Sequence, residues 1–445
     1  MNIVFFSSYS NHYDPRRFCT KSLPSASTCL RALLEKNPDH SFFVVAEKPA
    51  PFLLDLDERG EIEEKARGVG YVILDEAHSA AEDFANEIEK LGADIAISAS
   101  PWADPFDWLC VKDGMIASIL EQKGIRAFSA PALSALNCFD KSRTKEVLSF
   151  LGIKSARSIV IKHWLFWCAH AKGGVKENVY RSFVLSEIEK FRYPLVIKDT
   201  VGLSSFGTVV VHTFLEAKDF LLSRRNSSDR IVEEYVEGRQ FGLEIHGTPE
   251  KYEVLPPVEF STTKHGITSP KQGVKFGPDV SLKSEKLDSD MKKLATFLSI
   301  KGIAQVDLVF CENEWTVLEI NPRLSGMTSG YAASMNKSVL ELLFDIALGK
   351  TSAKNMQKTL DFKLPPIENE KMDEIFSQNG VLCVSRIENR FATQKRALGY
   401  TTLILDGKLA LETLKKLKKN DGELIEDSFL EKAQMLMENQ GDFHK

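Results

Sequence analysis

The stretch VLEINPRLSGMTSG, Val317–Gly330, is an apolar strand that presents a carboxylate, an amide and a guanidinium within five residues and then runs into small hydroxyl and glycine residues. Read with the segment before it, AQVDLVFCENEWTVLEINPR (304–323), it gives two apolar strands joined by a turn through Glu312, Asn313 and Glu314. A turn centred on Asn313 places Asp307 directly across from Glu319, and the two-residue period of a strand puts Asn321 on the same face. Like charges opposed in this way repel and weaken the pairing, so the pair calls for a counter-ion. Hard oxygen donors with an amide oxygen beside them suit Mg²⁺ or Mn²⁺ bridging phosphates. Spacing alone leaves a second reading open, in which both carboxylates point into water from an edge hairpin. A one-residue shift of the turn would undo the opposition.

Two upstream segments bear on the choice. Lys198 precedes Gly202-Leu-Ser-Ser-Phe-Gly207, but Thr208 stands where a Walker loop needs lysine, and a β-branched run VVV follows where a helix should begin. The segment therefore reads as a turn between antiparallel strands. Its backbone N–H groups and hydroxyls could close over phosphate oxygens, with Lys198 as the cation; a plain glycine-rich hairpin is the other reading. The run IVEEYVEG, Ile231–Gly238, is a strand broken at a glycine, whose edge could take an adenine ring or could be an ordinary strand and turn.

The remaining pattern fits a multidomain globular protein. The chain has 445 residues, 43% hydrophobic and 27% charged, with a net charge of −5, so no basic footprint supports nucleic-acid binding. Seven cysteines stand singly, without metal-ligand or disulfide spacing, as expected of small buried residues in a reducing compartment. The N-terminal run lacks a basic leader region and no stretch of 18 apolar residues occurs, which predicts no membrane span and a cytoplasmic protein. Up to about residue 130, strands such as NIVFFSS, SFFVVAE, YVILD and DIAISAS alternate with helical patterns, predicting a Rossmann-like parallel sheet. No G-x-G-x-x-G follows its first strand, which argues against dinucleotide binding there. Residues 162–182 fit neither period and read as an insertion. Leu364-Pro-Pro366 reads as a linker to a small module with strands VLCVSRI and YTTLILD. Its LKKLKKN run reads as a solvated helix face.

The order of these elements, with Asp140-Lys-Ser-Arg-Thr-Lys145 upstream, resembles the ATP-grasp superfamily over about residues 1–350. The runs LPPVEF (255–260) and SGMTSG (325–330) narrow the likeness to carboxylate–amine ligases, the group of D-alanine:D-alanine ligase and the L-amino-acid dipeptide ligases. The resemblance implies an α/β ATP-grasp fold. Its parts would be a Rossmann-like domain over 1–135, a lid subdomain over 136–235, a subdomain with the metal site over 236–355 and a small α+β module over 356–445. It implies that Lys141 and Lys198 hold ATP phosphates beneath a flap with Ser204 and Ser205. Glu233 would meet the adenine amine, Tyr235 and Val236 would complete the hinge, and Gln240 would stand at the ribose in place of the usual glutamate. Asp307, Glu319 and Asn321 would hold Mg²⁺ (or Mn²⁺), Arg323 would face the phosphate or the acyl centre, and Ser329 would lie near the acceptor carboxylate.

The implied reaction is ATP-dependent, ADP-forming joining of a small-molecule carboxylate to an amine, both expected to be amino acids, through an acyl phosphate. The alternatives are an ATP-grasp carboxylase or related acyl-phosphate enzyme, and a non-catalytic nucleotide-binding regulator. D-alanine ligases carry an arginine two residues before the metal aspartate. Gln305 stands here instead, which argues against that enzyme itself. Glu259 reads equally as an amino-group ligand or a plain strand carboxylate; Lys271 and Lys275 lie in a glycine-bearing loop and could reach phosphate, with solvated loop lysines the favoured reading; His246 and His265 could serve as bases but, without partners visible in sequence, read as polar loop residues. The expected partners are the two substrates, with no nucleic acid or membrane; relatives of this group are often homodimers.

Overall fold

The computed structural model describes residues 1–9, 18–101, 109–169, 174–202, 208–262, 273–350, 355–389, 399–420, 422 and 424–439. The chain begins with β1 (Asn2–Ser7), after which β2 (Phe18–Leu23) leaves for another sheet. Four further strands, β3 (Ser41–Glu47), β4 (Gly70–Leu74), β5 (Ile95–Ser98) and β6 (Arg126–Phe128), join β1 in the parallel order β4-β3-β1-β5-β6. Continuous apolar runs such as Ile3–Phe6 are what a sheet covered on both faces requires. One face packs on the helices Ala81–Lys90 and Leu109–Gln122. The other receives the helix Val339–Ala347, whose Leu340, Leu343 and Phe344 share a core with Ile3, Phe5 and Phe42. The loop that follows the opening motif is thus tied to the first sheet.

A second, antiparallel sheet is formed by β7 (Ser158–Ile161), β8 (Leu195–Asp199), β9 (Val209–Val211) and β10 (Arg230–Glu234), ordered β7-β10-β8-β9. Of residues 162–182, expected to be an insertion, the described stretches 162–169 and 174–182 are a structural part of this unit. The helix His163–Phe166 and the Asn178-capped helix Val179–Glu189 supply Phe166, Val184 and Ile188 to the core beneath the sheet. A four-residue helix followed by a polar turn is too short to show a period, so the sequence hid this packing.

The third sheet has ten strands: β2, β11 (Arg239–Thr248), β12 (Lys251–Val254), β13 (Val258–Phe260), β14 (Val274–Gly277), β15 (Gly302–Cys311), β16 (Glu314–Asn321), β17 (Thr359–Leu364), β18 (Val381–Asn389) and β19 (Gly399–Asp406). Its path is β16-β15-β11-β13-β14-β17-β19-β18-β2, with β12 paired to β11. The strands of the expected C-terminal module therefore continue this sheet, and β17 already lies in it before the Pro-Pro pair. The helix Lys141–Leu151 packs on this sheet as well, through Val147, Leu148 and Leu151. No described helix is long and apolar enough to cross a membrane.

Candidate active site

The hairpin β15–β16 turns on two residues, Glu312 and Asn313, both at positive φ (50° and 61°). Two consecutive left-handed residues are the signature of the type I′ turn, whose twist matches the flanking strands. Such a turn pairs Cys311 with Glu314 and Leu308 with Val317. Continued without interruption, that register would set Asp307 opposite Leu318 and turn Glu319 to the same side as the buried Val317. A β-bulge between Asp307 and Leu308 inserts one residue and restores the pairs Asp307↔Glu319 and Gln305↔Asn321. The predicted opposition is present, but it depends on the bulge. The turn itself sits half a residue from where the sequence suggested.

Cations surround this pair. Lys141, the first residue of its helix, lies 3.7 Å from Glu319 and donates to the Gly202 carbonyl at 3.0 Å, at the start of the glycine turn. Gln305 donates to Asp307 Oδ1 at 2.6 Å, and Arg323 donates to Asn321 Oδ1 at 3.2 Å and to the Leu324 carbonyl. Burial first, and the facing Glu319 second, push the Asp307 carboxyl up to about 6. A divalent cation would relieve both effects, so the donor set fits the implied metal. Among the described residues no group of three or more His, Cys, Asp or Glu gathers into a site. Two carboxylates and an amide match an ion that takes its other ligands from phosphates and water.

Glu233 stands differently from expectation. Its side chain is 5% exposed and is ion-paired to both Lys145, at 2.7 Å, and Lys198. Desolvation works against the carboxylate, but the two ammoniums outweigh it and hold the group at about 2. Each oxygen already faces an ammonium, so an adenine amine reaching Glu233 would share an oxygen with Lys145 or Lys198. In the hinge beyond it, the Tyr235 N–H already donates to the Pro194 carbonyl at 3.0 Å, so that group is unavailable to a base. Val236 and Gln240 are both half-buried near the start of β11. Lys145, in the DKSRTK run, is the second buried cation on Glu233, a pairing that its sequence position does not signal.

Glu259 is also corrected. Arg239 donates to its Oε1 at 2.7 Å and to its Oε2 as a second contact, and the residue is 2% exposed, so its charge is already neutralised by an arginine and turned away from solvent. Lys275 is no solvated loop residue: it lies on β14, over the Phe260 ring, and donates to the Gly326 carbonyl at 3.1 Å. Desolvation lowers its pKa, against the pull of Asp361, Asp307 and Glu244. The strand alternation of VKFG was its only sequence signal. His246, expected in a loop, is a fully buried residue of β11 whose Nε2 lies 2.8 Å from Glu244 Oε2. Ser204, Ser205, His265 and Lys271 lie outside the described residues.

The segment after β16 is anchored from below. Ser325 and Thr328 donate through their hydroxyls to Glu244 Oε1, at 2.9 and 2.6 Å, and the Ser325 N–H donates to Thr328 Oγ1. Two glycines permit this packing. A Cβ at Gly242, opposite Asp307, would lie 2.6 Å from the Met327 sulfur, and one at Gly330 would lie 2.0 Å from Asp361 Oδ2. Ser329, in the first turn of the helix Thr328–Ser334, is left half-buried at the edge of a cavity.

The profile of the ATP-grasp domain matches residues 179–327, a span that takes in β8, β10 and the β15–β16 hairpin. A D-alanine--D-alanine ligase of Clostridium perfringens is 28% identical over 249 residues, 52% of this chain and 74% of that protein. An L-amino acid ligase of Bacillus licheniformis superposes with a TM-score of 0.60 at 13% identity, covering 94% of this chain and 97% of the other. The biotin carboxylase domain of a Hydrogenobacter thermophilus 2-oxoglutarate carboxylase gives 0.60 at 14% identity, covering 93% and 89%. At these identities the structural likenesses speak for fold alone. Sequence and architecture agree that this chain has the ATP-grasp fold and resembles the carboxylate–amine ligases of that superfamily.

Proposed function

We propose that the chain is an ATP-dependent, ADP-forming ligase that joins a small carboxylic acid to an amine, both of them amino acids. The observation that carries the reading is the bulge-restored pair Asp307–Glu319, set within reach of Lys141, Arg323 and Lys275. A carboxylate is a poor electrophile. Its oxygen attacks the γ-phosphorus of ATP, the bond to ADP breaks, and an acyl phosphate forms. The substrate's ammonium group loses a proton to give the neutral amine, which attacks the acyl carbon; a C–N bond forms, the C–O bond to phosphate breaks, inorganic phosphate leaves, and the nitrogen releases a second proton.

Phosphoryl transfer of this kind is governed by positioning and charge neutralisation. Asp307, Glu319 and Asn321 would hold Mg²⁺ (or Mn²⁺), which supplies charge neutralisation on the phosphates when bound. Lys141 and Lys198 bind and orient phosphate oxygens. Arg323, fixed by Asn321 and the Leu324 carbonyl, donates to the oxyanion of the tetrahedral intermediate, a contribution of about 10²–10³ in kcat for a single donor. Gln240 would reach the ribose and Ser329 the acceptor carboxylate. The working units of this reaction would be 1–135, 136–235, 236–355 and 356–445, in a cytoplasmic enzyme that could pair as a homodimer.

The test is ADP release from the full chain with Mg·ATP and mixtures of amino acids. Release that needs an acid and an amine together supports the ligase; release with bicarbonate alone favours a carboxylase; none with any mixture favours a non-catalytic nucleotide binder. Glu319→Ala should lower turnover at least ~10²-fold while leaving the thermal unfolding transition in place. Wild-type rates in that variant would remove the metal assignment.

A further inference from the structure

A cavity of about 420 Å³ lies beside the proposed reaction centre, and of its walls the reaction above uses Ser329. Its wall nearest the chemistry is the segment after β16, through Ser325, Gly326 and Ser329. Gly326 is the residue whose carbonyl receives Lys275, the lysine that faces both Asp307 and Asp361. The opposite walls come from distant parts of the chain: β2 and the segment 49–52 on one side, and the β18–β19 face on the other. The described lining includes Phe18, Phe52, Leu340, Leu382 and Tyr400 but no aspartate, glutamate or histidine.

The two cations at its edge are already committed. Lys337 is paired with Asp345 at 2.7 Å. The Arg386 guanidinium is turned toward the Ile367 carbonyl, Asn369 Oδ1 and Cys19 Sγ, at 2.6, 2.8 and 3.0 Å. The cavity therefore offers the Ser329 hydroxyl where it meets the segment after β16, the Ser325 hydroxyl being given to Glu244, and beyond it an uncharged volume lined mainly by apolar side chains with scattered neutral polar groups such as Ser385 and Thr402. That is the division a substrate with one polar end and one apolar end requires. At about 420 Å³ the cavity is far larger than a methyl side chain would fill.

We infer that this cavity holds the side chain of a bulky apolar amino acid, the substrate whose polar end lies along Ser325–Ser329. This rests on the ligase reading and adds the substrate class to it. It also gives the β18–β19 face a function, since Ser385 and Thr402, opposed across that strand pair, both line the cavity. Specificity is then read partly by strands outside the stretch that matches the ATP-grasp profile.

Equilibrium binding of phenylalanine, leucine and alanine to the full chain, by calorimetry with magnesium and a non-hydrolysable ATP analogue, tests the inference. Phenylalanine and leucine should bind at least ~10-fold more tightly than alanine, in keeping with what one or more buried methylenes can discriminate. Thr402→Trp and Ala333→Phe, which fill the cavity from two different walls, should each reduce that preference at least ~10-fold. The inference is overturned if alanine binds as tightly as phenylalanine, if no amino acid binds, or if both filled variants unfold at the wild-type temperature and keep the preference. Failure of the ligase reading looks different: the preference is measured, yet no acid and amine pair releases ADP.

Discussion

Glu233 shows how much of the site's chemistry is set by single buried charges. Two ammoniums, Lys145 and Lys198, share its carboxylate, and all three groups are at least nine-tenths buried or nearly so. Desolvation disfavours every one of these charges, so the cluster persists only because each has its partners. For Lys198 the attraction of Glu233 prevails and the pKa is raised, whereas for Lys145 burial and the neighbouring Lys198 prevail and it is lowered. Replacing Glu233 by Gln would leave two buried cations without their anion, at a cost of about 3–5 kcal/mol in unfolding free energy. The pH dependence follows from the depressed carboxyl. Its folded value of about 2 lies below its ordinary 4.5, so its contribution is complete above the ordinary value and is lost as pH falls toward 2. Asp361 has the opposite sign. Burial raises it to about 6, so its contribution is present below its ordinary 3.8 and lost as pH rises through 6. Denaturant unfolding of wild type and Glu233→Gln from pH 7 to pH 3 should show the gap between them narrowing toward the acid end. A constant gap would mean that Glu233 is not ionised in the folded protein.

At the scale of the element, the β15–β16 hairpin separates what sequence can show from what it cannot. The alternation of Gly302–Cys311 and Glu314–Asn321 is legible because residue types and a period of two are local properties, whereas the opposition of Asp307 and Glu319 is reached through a turn half a residue from the expected one and a bulge that compensates for it. The bulge was not legible. It reconciles a two-residue turn with a core face that takes Val306, Leu308, Val317 and Ile320, and that requirement arises only when the sheet packs on its helices. The same limit explains Glu259 and Glu233: their neutralising partners Arg239, Lys145 and Lys198 come from other elements, so the carboxylates read as open ligands when they are already paired. The parallel sheet at the N-terminus was read nearly strand for strand, while β2 was missed because it pairs with β18, more than three hundred residues away. The turn offers its own test. Glu312 holds a left-handed conformation that costs a non-glycine residue about 1–2 kcal/mol. Glu312→Gly should raise the unfolding free energy by up to about 1 kcal/mol, and Glu312→Val should lower it by at least as much. Chemical denaturation of the two variants in parallel decides the matter; a stabilised valine variant would contradict a type I′ turn.

Across the whole molecule, the third sheet carries the mechanical continuity. It begins at β16 with Glu319 and β15 with Asp307, passes through β14 with Lys275 and β17 with Asp361, and ends at β2, which the N-terminal part of the chain contributes. Lys275 and Asp361 face each other across the β14–β17 pair, so the boundary between the ATP-grasp region and the C-terminal strands is itself a charged contact of the site. The C-terminal strands also own a core, in which Val274 and Phe276 of β14 pack with Leu360, Leu403, Leu414 and Phe429. A chain ended at residue 355 would expose that apolar face of β14 and leave its ladder groups unpaired, which is a template for edge-to-edge association. It would also strand β2, whose sheet partner is β18. The truncated chain is therefore expected to aggregate instead of retaining ATP binding as an independent enzyme. Size-exclusion chromatography with a nucleotide-dependent thermal shift measures both properties at once. A monodisperse 1–355 fragment that is still stabilised by Mg·ATP would show that the C-terminal strands are an appendage, and would separate the nucleotide site from the cavity that those strands help to enclose.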